Sequence, residues 1–331
     1  MSVVRAAFDL GSSHHKLVVA LTSPNAAPTI LLSTSIRVAL ADALSDTRHL
    51  PPAALRASRL AFHRLHALAL TYRPSACTAV ATAVFRTARN GHLYLTSLPL
   101  PVHILDPETE GALAFASAML AYSPCAFRHD VVVWDSGGAS TQWAMQGDAA
   151  FHVRAIALGS SSVRAVYRRD RSVCVLKEYI ARLAGSPGEV LASRLERGAV
   201  VLGIGSDASM FALAASRKGG VFSQADVWQA VDEIQSRGEE MEEITVLPKL
   251  VLLAELMVRY RIPRVRYVKG NGSCVGLLAS AEERFWGKWS QDLGSAHTSE
   301  APLIKPDVNS SLLHARPRYS SELSAVSTFQ T

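Results

Sequence analysis

The chain has 331 residues, of which 49% are hydrophobic and 19% charged, so it can bury a sizeable core and wholesale disorder is excluded. The formal net charge of +6 is compatible with an anionic ligand but does not by itself indicate one. No run of about 18 uncharged apolar residues is present, which excludes a transmembrane helix. Scattered cysteines without a CxxC spacing, and an N-terminal apolar stretch too short for a signal peptide, favour the cytoplasm.

In chain order, the pattern begins with two strands, VVRAAFDLG and HKLVVAL, which a Gly-Ser turn joins as a hairpin. Proline and helical spacing predict a helix over 51–72, a buried strand is predicted over 76–85, and a helix with acidic residues in its first turn over 107–122. Strands are then predicted in HDVVVWDSGG, STQWAM and FHVRAIAL. The remaining predictions are helices near 160–167 and at 173–184, a strand–turn–helix unit at 198–215, helices at 224–236, 246–260 and 274–289, and a strand at 264–268.

Strand hairpins followed by helices occur twice along the chain, which predicts an α/β protein with two related halves. We expect an N-terminal domain over 1–124 and a second domain over 125–290, with a hinge near 122–130. Whether the last helix packs back on the first domain is left open. Residues 291–331 are rich in Ser and Pro and have little periodicity, which predicts a disordered tail.

Two loops of the same kind follow apolar strands, one in each predicted half: DLGSSHHK at 9–16 and DSGGASTQ at 135–142. Glycine lets the backbone approach a ligand closely, and successive N–H groups can then form an anion site. The Asp of each loop repels phosphate, so its natural partner is a divalent cation that bridges to phosphate oxygens. Either loop alone is more simply an ordinary turn with a solvated Asp, but their occurrence together favours phosphate binding.

Two further segments carry candidate chemistry. Glu108 and Glu110 begin the helix between the loops, where a carboxylate near phosphate can act as general base on water. The alternative is a pair of helix N-terminal acids without a chemical role. Arg86 and Arg89 follow a strand of small residues, and an Arg fork matches phosphate geometry, although a solvated Arg is the simpler interpretation.

Together, these segments resemble the exopolyphosphatase/guanosine pentaphosphatase (Ppx/GppA) family of the actin–hexokinase superfamily. FDLGSSHHKLVV is similar to its first phosphate loop, ATAVFRTARN to its Arg segment, ILDPETEGALAF to its connecting helix with the catalytic Glu, and VVVWDSGGASTQ to its second phosphate loop. The resemblance covers about residues 3–285 and is stronger in the first half. It implies an α/β fold of two actin-like (RNase H-like) domains with an interdomain cleft.

The resemblance also implies a role for individual residues. Asp9 and Asp135 would hold a metal ion, Mg²⁺ or another divalent cation. Glu110, rather than Glu108, would be the catalytic base, and Gln142 would orient the attacking water. Substrate phosphate would be bound by Gly11, Ser12, Ser13, Arg86, Gly137, Gly138, Ser140, Thr141 and Gly205.

The sequence departs from the family pattern at three places. Gln142 stands where the family has Glu, although the ecto-apyrases of the same superfamily carry Gly-Ala-Ser-Thr-Gln here and have a similar first loop. Gly205-Ser206-Asp207 replaces Gly-Gly-Thr and adds a negative charge, and GNGSCVG at 270–276 lacks the Arg of a late Gly-Leu-Arg loop.

His14 and His15 are adjacent on a strand and point to opposite faces, which argues against a shared metal ion.

The expected function is a phosphohydrolase that cleaves terminal phosphoanhydride bonds of polyphosphate or guanosine penta- or tetraphosphate by metal-assisted attack of water. One alternative is a nucleotide phosphohydrolase of apyrase-like specificity. Another is a catalytically weak sensor that binds a phosphorylated ligand. The expected partner is a phosphorylated small molecule or polyphosphate, without nucleic-acid specificity or membrane association, and a homodimer is left open.

Overall fold

The structure, a computed structural model, describes residues 1–24, 26–122, 131–147, 151–216, 219–238, 240–280 and 285–286. The predicted hinge near 122–130, apart from its first residue, and the predicted tail at 291–331 lie outside the described residues. The domain boundaries stay a prediction. Within the described part of the chain, no helix has the length and apolar character needed to cross a bilayer.

The first sheet has five strands in the order β3-β2-β1-β4-β5. The predicted hairpin of β1 and β2 is antiparallel, and β4 lies parallel to β1 on its other side. Every residue of β1 from Ala6 to Leu10 is buried because the sheet is covered on both faces. The strand bounds are β1 Val3–Leu10, β2 His14–Thr22, β3 Thr29–Arg37, β4 Ala76–Ala81 and β5 Val102–Ile104.

Helices cover this sheet and carry the chain to the second one. Their bounds are α1 Leu40–Ala43, α2 Pro52–Leu70, α3 Ala83–Thr87, α4 Gly91–Leu95 and α5 Pro107–Tyr122. The strand predicted over 76–85 is too long, because the chain leaves the sheet after Ala81 and forms α3. Val84 and Phe85 are buried from this short helix, so their apolar character reflects helix packing and does not extend the strand.

The second sheet has six strands in the order β10-β11-β9-β6-β7-β8, and again its central strands are parallel. Its core contains Trp134 of β6 and Trp143 of β7, the largest fully buried side chains among the described residues, with ring centroids 5.1 Å apart. The strand bounds are β6 Val131–Ser136, β7 Thr141–Gln146, β8 Phe151–Ile156, β9 Val200–Gly205, β10 Val221–Ser223 and β11 Arg264–Lys269. The helices of this part of the chain are α6 Ser160–Asp170, α7 Val173–Ala184, α8 Glu189–Glu196, α9 Met210–Ala215, α10 Gln224–Arg237, α11 Glu240–Thr245, α12 Leu247–Arg259 and α13 Ser273–Ala279.

Helices α5 and α13 link the two sheets. Helix α5 packs on the second sheet, whereas α13 packs on the face of the first sheet that presents Ala7 and Val18. The two helices meet at Ser117, whose hydroxyl lies 2.8 Å from the carbonyl oxygen of Gly272 and accepts a 2.7 Å hydrogen bond from the Gly276 N–H. This contact joins α5, which packs on the second sheet, to α13, which packs on the first.

Candidate active site

The two Asp-Gly loops touch each other. The hydroxyl of Ser13 lies 3.1 Å from the hydroxyl of Ser161, at the start of α6. A Cβ atom at Gly138 would overlap the Oγ atom of Ser13, so this position has no room for a side chain. Residues 11–13 and 137–140 therefore line one site, and the contact depends on glycine at 138.

Hydrogen bonds within the second loop fix its shape. The N–H of Gly137 donates to the carbonyl oxygen of Ser140 at 2.9 Å, which closes the turn. The hydroxyl of Thr141 donates to the carbonyl oxygen of Leu158 at 2.7 Å and is fully buried. Thr141 thus supports the loop in this structure, while its predicted contact with phosphate stays a prediction.

Asp9 lies at the end of β1 with both carboxylate oxygens buried but in different surroundings. Its Oδ2 atom is 3.2 Å from the Nζ atom of Lys16, which is paired with Asp9 across the hairpin. Its Oδ1 atom has no hydrogen-bond partner in the described part of the chain. Lys16 is not among the site residues predicted from the sequence, although the register of a tight hairpin around Gly11 places it opposite Asp9.

Asp135 lies at the end of β6, close enough to Asp9 for the two charges to interact. Burial raises the pKa of Asp135, Lys16 opposes this shift, and Asp9 adds to it. Burial alone would lower the pKa of Lys16, but Asp9 and Asp135 together raise it above its ordinary value. One ammonium group therefore interacts with the charges of two carboxylates, so the site holds one more carboxylate than this lysine can neutralise.

This donor set fits a magnesium ion that is shared with a substrate. Mg²⁺ in phosphate-handling sites is commonly held by one or two carboxylates together with substrate phosphate oxygens. The unpartnered Oδ1 atom of Asp9 and the nearby Asp135 supply such carboxylates. Among the described residues there is no group of three or more His, Cys, Asp or Glu side chains that could form a metal cage from protein atoms alone.

Glu110 is buried at the start of α5 and is bound by Arg86. The Nη1 atom of Arg86 is 2.7 Å from the Oε2 atom of Glu110, and the same nitrogen donates to the carbonyl oxygen of Leu105 at 2.6 Å. Burial raises the pKa of Glu110 to about 7, the Arg86 charge opposes that shift, and Asp135 and Asp9 add to it. Glu108 is exposed on the same helix. Arg86, which we expected to contact substrate phosphate, here contacts the candidate base.

Gln142 is buried directly beside the second loop. It is the cross-strand partner of Asp135, is 2% exposed, and its Nε2 atom has no hydrogen-bond partner in the described chain. A buried amide donor without a partner is costly, so a water molecule or substrate oxygen at this position would be stabilised. The placement is suited to orienting a molecule held between the two Asp loops.

Gly205 ends β9, and the segment after it shows how the departures from the family pattern are accommodated. Asp207 is exposed, and its carboxylate lies 2.7 Å from the Nζ atom of Lys269, so its charge has a partner outside the phosphate loops. The 270–272 segment reaches the site through its backbone. Gly272 has a φ of +62°, and a Cβ atom there would lie 2.6 Å from the Nζ atom of Lys16.

Two contacting loops, paired strand-end carboxylates and a buried Glu on the connecting helix define a phosphate-handling protein built from two α/β halves. The chain belongs to the Ppx/GppA phosphatase family, whose model matches residues 18–183. No curated protein matches the chain.

Solved structures confirm the predicted α/β fold class. The PPX-GPPA enzyme of Aquifex aeolicus superposes with a TM-score of 0.63 at 17% identity, covering 85% of this chain and 100% of that one. An exopolyphosphatase of Cytophaga hutchinsonii gives a TM-score of 0.67 at 12% identity, covering 83% of this chain and 96% of that one. An exopolyphosphatase-like protein superposes with a TM-score of 0.68 at 16% identity, covering 85% of this chain and 99% of that one.

Proposed function

We propose that this protein is a phosphohydrolase that releases the terminal phosphate of polyphosphate or of guanosine penta- or tetraphosphate. The observation that carries the proposal is Glu110, a buried carboxylate with a pKa of about 7 that lies close enough to Asp9 and Asp135 for their charges to raise it. A general base works best when its pKa lies close to the working pH, so this group can accept a proton from water near neutrality. Membership of the Ppx/GppA family supports the same reaction class.

In the proposed reaction, Glu110 takes a proton from a water molecule while the water oxygen attacks the terminal phosphorus. The bond from that phosphorus to the bridging oxygen breaks, and the electron pair leaves with the shortened phosphate chain. Gln142 orients the water through its buried amide. The N–H groups of residues 12–13 and 138–140, together with Lys16, stabilise the charge on the transferred group.

A divalent cation is part of the proposal. Asp9 and Asp135 would hold Mg²⁺, which when bound would neutralise negative charge on the phosphate oxygens. We also propose that the protein acts in the cytoplasm, since its scattered cysteines suit a reducing compartment.

Two other functions are supported by particular residues. A nucleotide phosphohydrolase of apyrase-like specificity is favoured by Gln142, because those enzymes carry Gln in this loop. A sensor that binds phosphate without hydrolysis is favoured by the Arg86–Glu110 ion pair, which occupies the candidate base, and by the absence of a carboxylate at position 142.

A phosphate-release assay with the purified full-length protein tests the proposal. We expect Mg²⁺-dependent release from long-chain polyphosphate or guanosine tetraphosphate, and background release from ATP. Release from ATP alone would replace the proposal with the apyrase-like function. Background release from all three, with binding of guanosine tetraphosphate detected by calorimetry, would replace it with the sensor.

A further inference from the structure

A cleft of about 780 Å³ lies between α2, α4 and the segment that joins α1 to α2. We call it the α2–α4 cleft. Its volume is in the range of pockets that hold a small molecule. The described residues that line it include none of those assigned to the candidate active site. The cleft is therefore a place for a second ligand, separate from one held at the Asp loops.

Most of the surface of the α2–α4 cleft is apolar. Pro51, Leu55 and Leu93 contribute to it, and Leu93 is 78% exposed. A ligand that covers such a side chain gains about 25 cal/mol for each Å² of apolar surface removed from water. Exposed apolar surface at a concave site is typical of a binding site, so the cleft favours a ligand with an apolar body.

The charge of the α2–α4 cleft is positive. Arg56 and Arg59, one turn apart on α2, both line it, and its described lining residues include no carboxylate. Arg59 is held in place by Ser97, whose carbonyl oxygen and hydroxyl accept hydrogen bonds of 3.1 and 2.7 Å from its guanidinium. The same guanidinium lies 5.6 Å from the centre of the Tyr94 ring. Because a guanidinium has five N–H groups, Arg59 keeps donors for a carboxylate.

One edge of the α2–α4 cleft belongs to the segment that holds the first phosphate loop. The N–H of Ala39 donates to the carbonyl oxygen of Ser13 at 3.1 Å, and the N–H of Ala41 donates to that of Ser12 at 3.0 Å. This segment continues through α1 to Ala43, which lines the cleft. A ligand in the cleft therefore contacts the stretch of chain that fixes the backbone of the loop.

Buried hydrogen bonds make a second connection between the cleft and the loop. The Oγ atom of Ser58, on α2, lies 2.7 Å from the Nε2 atom of His15 and 2.6 Å from the hydroxyl of Tyr94. All three side chains are buried. Tyr94 lines the cleft, and His15 is the cross-strand partner of Leu10, which precedes the loop. Since buried hydrogen bonds are costly to break, the positions of α4 and of the first loop are energetically linked.

We propose that the α2–α4 cleft is a regulatory site that binds a small molecule with an apolar body and one carboxylate, and that the bound molecule orders the first phosphate loop. The apolar body covers Leu55 and Leu93, while the carboxylate accepts hydrogen bonds from Arg56 and Arg59. Binding at this site requires neither phosphate nor a metal ion. Only its effect on turnover rests on the proposed function.

Calorimetric titration of the full-length protein with decanoate, and with 1-decanol as the neutral molecule of the same chain length, tests the ligand class. We expect saturable binding of decanoate that R56Q weakens about tenfold, as for loss of a charged hydrogen bond. The affinity for 1-decanol should change less than about twofold in R56Q. The matched control is R64Q, which removes an exposed Arg of the same helix outside the cleft and should change neither affinity.

A second pair of variants tests the apolar part of the site. L93Q should weaken decanoate and 1-decanol alike, by about fivefold, because the apolar contact is lost whatever the head group. The control is L60Q, since Leu60 is 54% exposed on α2 and lies outside the cleft. Lack of saturable decanoate binding, or wild-type affinity in R56Q and L93Q, would overturn the site. If sedimentation showed that L93Q, but not L60Q, converts a dimer to a monomer, the cleft would be assigned to a second copy of the chain instead.

Hydrogen exchange tests the connection to the first phosphate loop. We expect saturating decanoate to slow the exchange of the Ala39 and Ala41 amides about threefold or more, since these donate to the carbonyl oxygens of the loop. Unchanged exchange at saturation would overturn the regulatory role. Phosphate release from the same samples separates this proposal from the proposed function. Decanoate binding with the expected variant pattern but without release removes hydrolysis and supports the site, whereas release without decanoate binding supports hydrolysis and removes the site.

Discussion

The Nη1 atom of Arg86 lies 2.7 Å from the Oε2 atom of Glu110, so two residues that the sequence assigns to separate tasks form one ion pair. The pair joins α3, after β4, to the start of α5, after β5. Because the Arg86 charge offsets part of the effect of burial, the pKa of Glu110 stays near 7 and is not raised further. Removal of the Arg86 charge should therefore raise the pKa of Glu110.

Replacement of Glu110 should abolish most of the proposed hydrolysis. Glu110→Gln keeps the size and the hydrogen bonding of the side chain but cannot take a proton, so we expect kcat to fall by about 10²-fold or more. Glu108→Gln is the control, since Glu108 is exposed on the same helix. A loss confined to Glu108→Gln would show that the base has been assigned to the wrong residue.

Replacement of Arg86 should move the pH dependence. Glu110 must be deprotonated to act as base, so kcat should rise with pH through about 7 in the wild type. Arg86→Gln removes the charge that lowers the pKa of Glu110, so the midpoint should move to higher pH. The measurement is kcat against pH for both proteins. An unchanged or lower midpoint would contradict the coupling.

Alanine substitution at the two adjacent glycines of the second loop should have different effects on stability. Gly138→Ala places a Cβ atom against Ser13, so we expect a loss of about 1–3 kcal/mol in the free energy of unfolding, as for overpacking. Gly137→Ala is the control, because the nearest atom to its Cβ, the carbonyl oxygen of Ser140, is 3.7 Å away. Urea unfolding of both variants gives the comparison, and equal losses would argue against a tight contact between the loops.

Gln142 should matter more for turnover than for binding. Gln142→Ala removes the buried amide, and we expect kcat to fall while the affinity for substrate changes little, because the amide acts on the attacking water. Gln142→Glu keeps the shape and should leave turnover similar or higher. If Gln142→Ala left kcat unchanged and weakened binding, Gln142 would instead be assigned as a substrate ligand.

The two strand-end carboxylates should set the requirement for Mg²⁺. We expect Asp135→Asn to raise the Mg²⁺ concentration for half-maximal phosphate release by about tenfold or more, since one charged oxygen ligand is lost. Asp207→Asn is the control, because Asp207 is 75% exposed and paired with Lys269. The same Mg²⁺ dependence in wild type and Asp135→Asn would remove Asp135 from the metal site.

The parts of the fold that depend on neighbouring residues could be predicted from the sequence. The hairpin at 3–22 needs only a buried strand, a turn at Gly11 and a second strand, and it is present as predicted. Strand β3 at 29–37 was missed because its residues alternate between exposed and half-buried, so it lacks the apolar run of a central strand. It is held at the edge of the sheet by β2, a relationship that local sequence does not contain.

The same limit applies to the candidate site. Asp9 and Asp135 could be named because each follows a buried strand and precedes glycine. The ion pair between Arg86 and Glu110 could not, because it depends on how α3 packs against the start of α5. The ion pair of Asp207 with Lys269 could not be predicted from the sequence either. Lys269 belongs to β11, which lies beside β9 in the sheet but far from it in the sequence.

Helix α13 has a consequence for the order in which the molecule can be assembled. Its residues Cys274, Leu277 and Leu278 cover the face of the first sheet that presents Ala7 and Val18, yet they follow the whole second sheet in the sequence. During synthesis the N-terminal strands leave the ribosome first, and this apolar face waits uncovered while the intervening strands and helices are made. A truncated chain that stops before residue 273 should therefore leave this apolar face exposed and should aggregate more readily than the full-length protein.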